Sequence, residues 1–135
     1  MGKERTFVML KPDCIKRGLV GEVISKIERK GWRIVDAKMR VLEPAFLYTF
    51  YEHIKDQPYF LKVFNYMLSG TVLGMVVEGE DAVMGMRRLI GPTIIEEALP
   101  GTIRGDFAMS SANSLIHASK TDDNVKDECN IFFKS

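Results

Sequence analysis

Apolar positions along the chain follow one period and then another, and the changes of period mark out the elements. Residues 5–10 (RTFVML) form a short β-prone run closed by Lys11-Pro12-Asp13, which predicts a buried strand ending at a turn. Leu19, Val20, Val23, Ile24 and Ile27 recur at helical spacing, and Gly31 stands where a helix end favours left-handed φ. From Trp32 the period is two: Val35, Ala37, Met39 and Val41 alternate with Asp36, Lys38 and Arg40, predicting a half-exposed strand with the apolar set turned inward. Pro44 opens a helix with Phe46, Phe50 and Ile54 on one face; Pro58 opens another, carrying Phe60, Val63, Phe64 and Met67, which stops at Ser69-Gly70.

Residues 72–78 (VLGMVVE) read as a third strand, and Asp81 as the cap of a helix holding Val83, Met86, Leu89 and Ile90 that ends at Gly91. Residues 91–101 (GPTIIEEALPG) are irregular, and a segment this long without regular structure is usually functional or mobile. Residues 114–117 form a fourth, weakly patterned strand. Thr121 caps a last helix, whose Asp122 and Asp123 suit its positive end and whose Val125, Cys129, Phe132 and Phe133 make a buried stripe. The order β-α-β-(αα)-β-α-β-α is that of an α+β domain around a split β-α-β core, with the strand order left open.

Composition narrows the class without naming a function. At 135 residues and 15.3 kDa, a single domain over residues 1–135 is expected. Folding at this size hides about 68% of the unfolded chain's surface, enough for a core without staples. Apolar residues are 46% of the total and charged ones 27%, the values of an ordinary globular protein. No apolar run approaches the roughly 18 residues of a membrane span, and MGKERTFVML lacks the pattern of a signal peptide; Gly2 makes a poor lipidation match. Cys14 and Cys129 stand apart, with no CxxC and no Cys/His cluster, so both are expected to be reduced thiols of a cytoplasmic protein. Net charge is +1, yet residues 1–40 hold 11 basic and 5 acidic side chains. Because these alternate with apolar positions, solvated faces explain them better than a nucleic-acid arm.

The common phosphate cradles are missing: no GxxxxGK[ST] occurs, and no GxGxxG follows a strand. HExxH, GxSxG and the kinase HRD/DFG set are absent too. What remains is a scatter of cations and one histidine in an apolar patch. His117, in NSLIHAS, fits either a hydrogen-bonded core residue or a neutral imidazole acting as nucleophile or base. Arg104 lies between glycines in GTIRGDF, where backbone can approach a ligand and the planar guanidinium suits phosphate oxygens. Arg87 and Arg88, near a helix end, suit the helix dipole as well as they suit phosphate. Thr93 reads as a turn residue of the long loop, and Lys11 ends the first strand with its exit direction set by Pro12.

Taken together, the segments ERTFVMLKPD, KRGLVGEVISKIERKGW, FYEHIKDQPYF, YMLSGTVLGMVVEG, RRLIGPT, PGTIRGDF and NSLIHAS resemble the nucleoside diphosphate kinase family almost end to end. The resemblance implies a ferredoxin-like α/β sandwich, a four-stranded antiparallel sheet with helices packed on it. It implies γ-phosphoryl transfer from a nucleoside triphosphate, mainly ATP, to nucleoside diphosphates by a ping-pong mechanism through a phosphohistidine. In that scheme His117 is the nucleophile and Glu128 fixes its tautomer. Lys11, Tyr51, Arg87, Thr93 and Arg104 hold the phosphates, with Lys11 also reaching the sugar 3′-hydroxyl, and Tyr59 stacks on the base where the family usually has Phe. Mg²⁺ bridges the nucleotide's own phosphates with little or no protein ligation. A homo-oligomer, tetramer or hexamer, is implied, and the chain's end two residues after Phe133 leaves its size open. No membrane and no specific nucleic acid is expected as a partner.

Several positions depart from the family pattern. Ser114 stands where the family has an Asn that helps bind the 3′-hydroxyl, and Ser111 replaces the apolar residue opposite the base platform. Ala118-Ser119-Lys120-Thr121 replaces GSDS, placing a cation near the site; Cys14 follows KPD, and Ile94-Ile95 replaces Asn-Pro. Activity is expected to survive with a raised nucleotide KM. Two other readings fit parts of the pattern. A non-catalytic nucleotide- or RNA-binding module would want exposed aromatics on a strand, which VLGMVVE lacks. A catalytically impaired family member acting through protein contacts is suggested by the altered surroundings of His117.

Overall fold

Phe7, Val8, Met9 and Leu10 are all fully buried, which a strand achieves only when both its faces are covered. In the computed structural model, which describes residues 3–111 and 113–134 (Gly2 lies outside them), these residues belong to β1 (Lys3–Leu10). β1 sits inside a four-stranded antiparallel sheet ordered β2-β3-β1-β4, with β2 Arg33–Val41, β3 Thr71–Glu80 and β4 Ile116–Ala118. Its alternate side chains feed two cores. Val8 and Leu10 join Val23 and Ile27 of α2 (Val20–Arg29, which follows the short α1, Pro12–Lys16) and Met86 and Ile90 of α5 (Ala82–Ile90). Phe7 and Met9 join Phe46 and Phe50 of α3 (Pro44–Phe50), Met67 of α4 (Phe60–Leu68) and Phe132 of α7 (Asp122–Lys134). Helices thus pack on both faces of the sheet.

The largest departure from the sequence pattern is in β2. Ala37, Met39 and Val41 are exposed, Met39 at 57% and Val41 at 65%. A register shift between Ile34 and Asp36 absorbs Val35, and β2 is an edge strand whose far end the helices of its face do not cover. Arg40, grouped by its charge with the solvated residues, is instead half-buried: its guanidinium lies over the Phe46 and Phe132 rings and donates to the Phe132 carbonyl.

Helix starts also differ in detail. Asp81 precedes α5 but takes a left-handed conformation (φ 52°) and makes no side-chain cap; its carboxylate pairs with Arg88, and Glu4 of β1 accepts the Val83 amide instead. Thr121 does cap α7, accepting the Asn124 amide at 3.2 Å. The helix expected through Ile54 ends at Phe50, followed by a 3₁₀ turn over Glu52–Ile54. Residues 91–101 contain one 3₁₀ turn, Ile95–Glu97, and lead into α6 (Ile103–Phe107), a short helix capped by Thr102 that the periodicity does not reveal. The fourth strand starts two residues later than its apolar run, because Leu115 adopts φ 70°.

Gly74 of β3 lies under Phe132, where a Cβ would come within 2.3 Å of the ring. Gly74→Ala is expected to lower stability by about 1–3 kcal/mol through overpacking, measured by urea unfolding. A Phe132→Leu change in the same chain should recover part of that loss if the clash is its cause.

Candidate active site

The end of β1 and the short β4 build the site. Met9 pairs with His117 and Leu10 with Ile116, and the Lys11 amide donates to the Leu115 carbonyl at 2.8 Å. The β1–β4 ladder therefore brings Lys11 beside the segment that carries His117, although 106 positions separate them in sequence. Pro12 at the first helical position turns the chain away from the sheet immediately after Lys11.

His117 Nε2 lies 2.8 Å from Glu128 Oε1, and the Ser119 hydroxyl donates to the same oxygen at 2.7 Å. The rings of Phe50 and Phe7 pack at 5.3 and 6.3 Å from the imidazole and fix its plane. Burial lowers the His117 pKa below the ordinary histidine value; Glu128 pulls it up, while Lys11 and Arg87 lower it further. At neutral pH the ring is mostly uncharged. With a carboxylate facing Nε2, the proton is assigned to Nε2, which leaves the Nδ1 lone pair available. For Glu128 itself burial works to raise the pKa, but the hydrogen bonds from His117 and Ser119 outweigh it and the group stays low.

In front of His117 opens a cavity of about 550 Å³ lined also by Lys11, Tyr51, Tyr59, Arg87, Thr93, Arg104 and Ser114. The structure thus gathers eight of the nine site residues named from the sequence around one space. The ninth, Glu128, sits behind the imidazole and lines a neighbouring cavity of about 600 Å³ into which His117 also opens. Tyr59 stands 51% exposed at the mouth, and Tyr51 is buried, its phenol pushed up by burial and by Glu128. Among the described residues no carboxylate lines the front cavity, and Lys62 and Lys120 add two further cations.

The two arginines of the RR pair separate. Arg87 donates to the Ala118 carbonyl at 3.2 Å and lines the cavity, whereas Arg88 turns away to Asp81. Arg104 donates through Nε, Nη1 and Nη2 to the carbonyls of Ser114, Gly91 and Ile116. Burial and the Arg87 charge push its pKa down to about 10. Gly105 beside it serves packing and does not open the backbone to a ligand. A Cβ on Gly105 would lie 1.9 Å from the Leu99 carbonyl oxygen, so that glycine allows two chain segments to touch.

Sequence reasoning missed Ser119 as a partner of Glu128. Its separation of two from His117, which puts both side chains on one face of an extended segment, was the available signal. Ser111 lines the cavity, and its hydroxyl also accepts the Ile95 amide at 3.2 Å, tying the long loop to the site.

Because the fold holds His117 neutral more firmly than the unfolded chain does, stability is undiminished above the usual value of 6.5 and falls as pH drops through it. Removing the Glu128 charge takes away the influence that raises the His117 pKa. Glu128→Gln should therefore lower it further, read from the ring nitrogens by NMR; a rise would contradict the arrangement described.

The chain compares closely with known proteins. The family model described as nucleoside diphosphate kinase matches residues 4–135. A nucleoside diphosphate kinase of Ignicoccus hospitalis is 52% identical over 131 residues, covering 97% of this chain and 89% of the relative. One from Methanocaldococcus jannaschii is 46% identical over 132 residues, with 98% and 94% covered. The crystal structure of the nucleoside diphosphate kinase from Encephalitozoon cuniculi superposes with a TM-score of 0.94 at 39% identity, covering 98% of this chain and 90% of that one. With a histidine, its carboxylate and a cation-lined cavity assembled on the same sandwich, the chain belongs to the nucleoside diphosphate kinase family.

Proposed function

We propose that this protein is a nucleoside diphosphate kinase that moves the γ-phosphoryl group of a nucleoside triphosphate, mainly ATP, to nucleoside diphosphates through a phosphohistidine at His117. The observation that carries this reading is a neutral imidazole, anchored at Nε2 by a carboxylate, opening on a cavity rich in cations and free of lining carboxylates. In the first half-reaction the Nδ1 lone pair attacks the γ-phosphorus while the bond to the bridging β–γ oxygen breaks, and the diphosphate leaves. The imidazolium that forms keeps its Nε2 proton and is stabilised by Glu128. The second half-reaction runs the same step backward with a different diphosphate, so one site serves donor and acceptor.

Such a transfer needs positioning and charge stabilisation more than covalent help. Lys11, Arg87 and Arg104 supply the charge, with Thr93 and the Tyr51 hydroxyl beside them. Arg104 uses three of its five N–H groups on backbone carbonyls, which aims the remaining two. The lining chemistry suits a polyanion, so Mg²⁺ fits here as a companion of the nucleotide's phosphates, neutralising their charge. Lys11 reaches the sugar 3′-hydroxyl together with the Ser114 hydroxyl that it already contacts at 3.3 Å. Tyr59 offers its face to any base, which supports low base specificity.

A homo-oligomer is part of the proposal. The exposed apolar face of the edge strand β2, with Met39 and Val41, supports assembly through that edge into a tetramer or hexamer. The free thiols of Cys14 and Cys129 fit a reducing compartment such as the cytoplasm. Among the described residues no helix is long and apolar enough to cross a membrane.

Incubation with γ-labelled ATP should give acid-labile, alkali-stable label that unlabelled diphosphates chase off. The His117→Ala variant should take up none; persistent label in that variant, or none in the natural chain, would overturn the reading. Ser114→Asn should lower the nucleotide KM about two- to tenfold by adding a contact to the sugar, and an unchanged or higher KM would contradict the role given to Ser114.

A further inference from the structure

Asp13 lies one residue beyond Pro12, outside the cavity, and no step described so far uses it. Tyr66 of α4 donates a hydrogen bond from its hydroxyl to Asp13 Oδ1, and Tyr66 does line the cavity, next to Lys11. The other carboxylate oxygen, Oδ2, is buried without a hydrogen-bond partner. A buried carboxylate oxygen left in this state is costly unless its charge acts on something nearby. The nearby cation is Lys11. Among the described residues its ammonium contacts the Ser114 hydroxyl at 3.3 Å and forms no ion pair.

We propose that Asp13 and Tyr66 are positioning residues that keep Lys11 charged and in place for phosphate without occupying its ammonium. The proposal rests on the phosphotransfer reading above and extends it to groups that never touch substrate. An ion pair made directly to Lys11 would compete with the nucleotide for the same N–H groups. A carboxylate set one step back raises the lysine's charge occupancy and leaves those groups free. Tyr66 holds that carboxylate by one oxygen and favours its ionised form, since a hydrogen bond to the charged state stabilises it.

The surroundings make such support necessary. Lys11 is pushed down to about 8 by burial and by the Arg104 charge, and Asp13 opposes both. The other charged or titratable groups around the same cavity are Lys62 and Tyr59 on or before α4, Tyr51 after α3, Arg87 on α5, and His117 and Lys120 on or after β4. All of the permanent charges in that set are positive, so Asp13 is the nearby anion that sustains the lysine. Asp13 itself is raised by burial and drawn back down by Lys11 and by the amides of Asp13, Cys14 and Leu115.

The test follows Lys11 directly by NMR of its labelled side chain, alongside the pH profile of kcat/KM for transfer from ATP to GDP. In the natural protein the Lys11 titration and the alkaline limb of the profile should coincide near 8. Asp13→Asn should move both to lower pH by about one unit, costing about fivefold in kcat/KM at pH 8 and much less at pH 6. Tyr66→Phe should leave the Lys11 titration and the alkaline limb in place and move the titration of the Asp13 carboxyl, followed by NMR, upward, because its ionised form loses a hydrogen bond. An unmoved Lys11 titration in Asp13→Asn, or rates scaled equally at every pH, would overturn the proposal. If Asp13→Asn does not fold, Tyr66→Phe decides alone: an unmoved titration of the Asp13 carboxyl rejects the pair. Failure of the natural protein to label His117 would instead reject the phosphotransfer reading, while the Lys11 titrations still judge the pairing with Asp13.

Discussion

The pairing of β1 with β4 is three residues long: Val8 opposite Ala118, Met9 opposite His117, Leu10 opposite Ile116. Everything at the site hangs from it. β1 is immobilised by burial on both faces, so its last residue fixes where Lys11 emerges, and the ladder fixes His117 relative to that point. The Lys11 amide extends the contact one step to Leu115, past the end of regular pairing. Leu115 accepts a left-handed conformation there, a strain of about 1–2 kcal/mol for a side chain of its kind. That turn lets the Ser114 hydroxyl meet Lys11 while its carbonyl receives Arg104. A strand continuing straight through residues 114–117 would present these groups on alternating faces.

Around this ladder the fold holds positive charge in a partly buried space, which is unfavourable for a protein alone. Burial lowers the pKa values of both Lys11 and Arg104, and each cation lowers others nearby. The cost is limited locally by backbone carbonyls for Arg104, by the Ala118 carbonyl for Arg87 and by the set-back carboxylate of Asp13 for Lys11. None of these partners is a competing ion pair on the cavity side. A bound polyphosphate would satisfy the charges that the protein leaves open, so binding energy is concentrated on the reacting end of the nucleotide. In the complex we propose, the base would by contrast meet only an exposed tyrosine at the mouth.

Much of the sandwich was legible because its strongest signals are local. The run FVML is apolar at every position, and β1 is covered on both faces; the α7 stripe of Val125, Cys129, Phe132 and Phe133 turns toward the sheet as its spacing implies. The pattern failed where a residue's setting depends on distant chain. Met39 and Val41 alternate like core residues, but their strand lies at a sheet edge beyond the helices, a fact that strand order alone determines. Arg40 looks solvated by type, yet two aromatic rings from α3 and α7 lie under it. Asp81 has the chemistry of a cap, and its left-handed backbone and the approach of Glu4 from β1 give that task to another side chain.

The same distinction applies to the site. His117 alone was ambiguous, because a histidine between apolar neighbours can serve a core or a reaction; the resemblance, not the chemistry, chose between them. What supports the reacting role we propose is that Glu128 comes from a helix eleven residues later and carries Ser119 on the same oxygen, while cations and hydroxyls are prominent in the lining of the cavity before the ring. The departures from the family pattern then take on a structural meaning. Ser114 is too short to reach as an Asn would, but it keeps a hydroxyl on Lys11 and a carbonyl on Arg104, so the phosphate end of the cavity is preserved. Lys120 lines both the front cavity and the one behind His117, adding positive charge on either side of the imidazole. On the function we propose, both changes would act on how firmly a nucleotide is held, and neither residue hydrogen-bonds the carboxylate that faces His117.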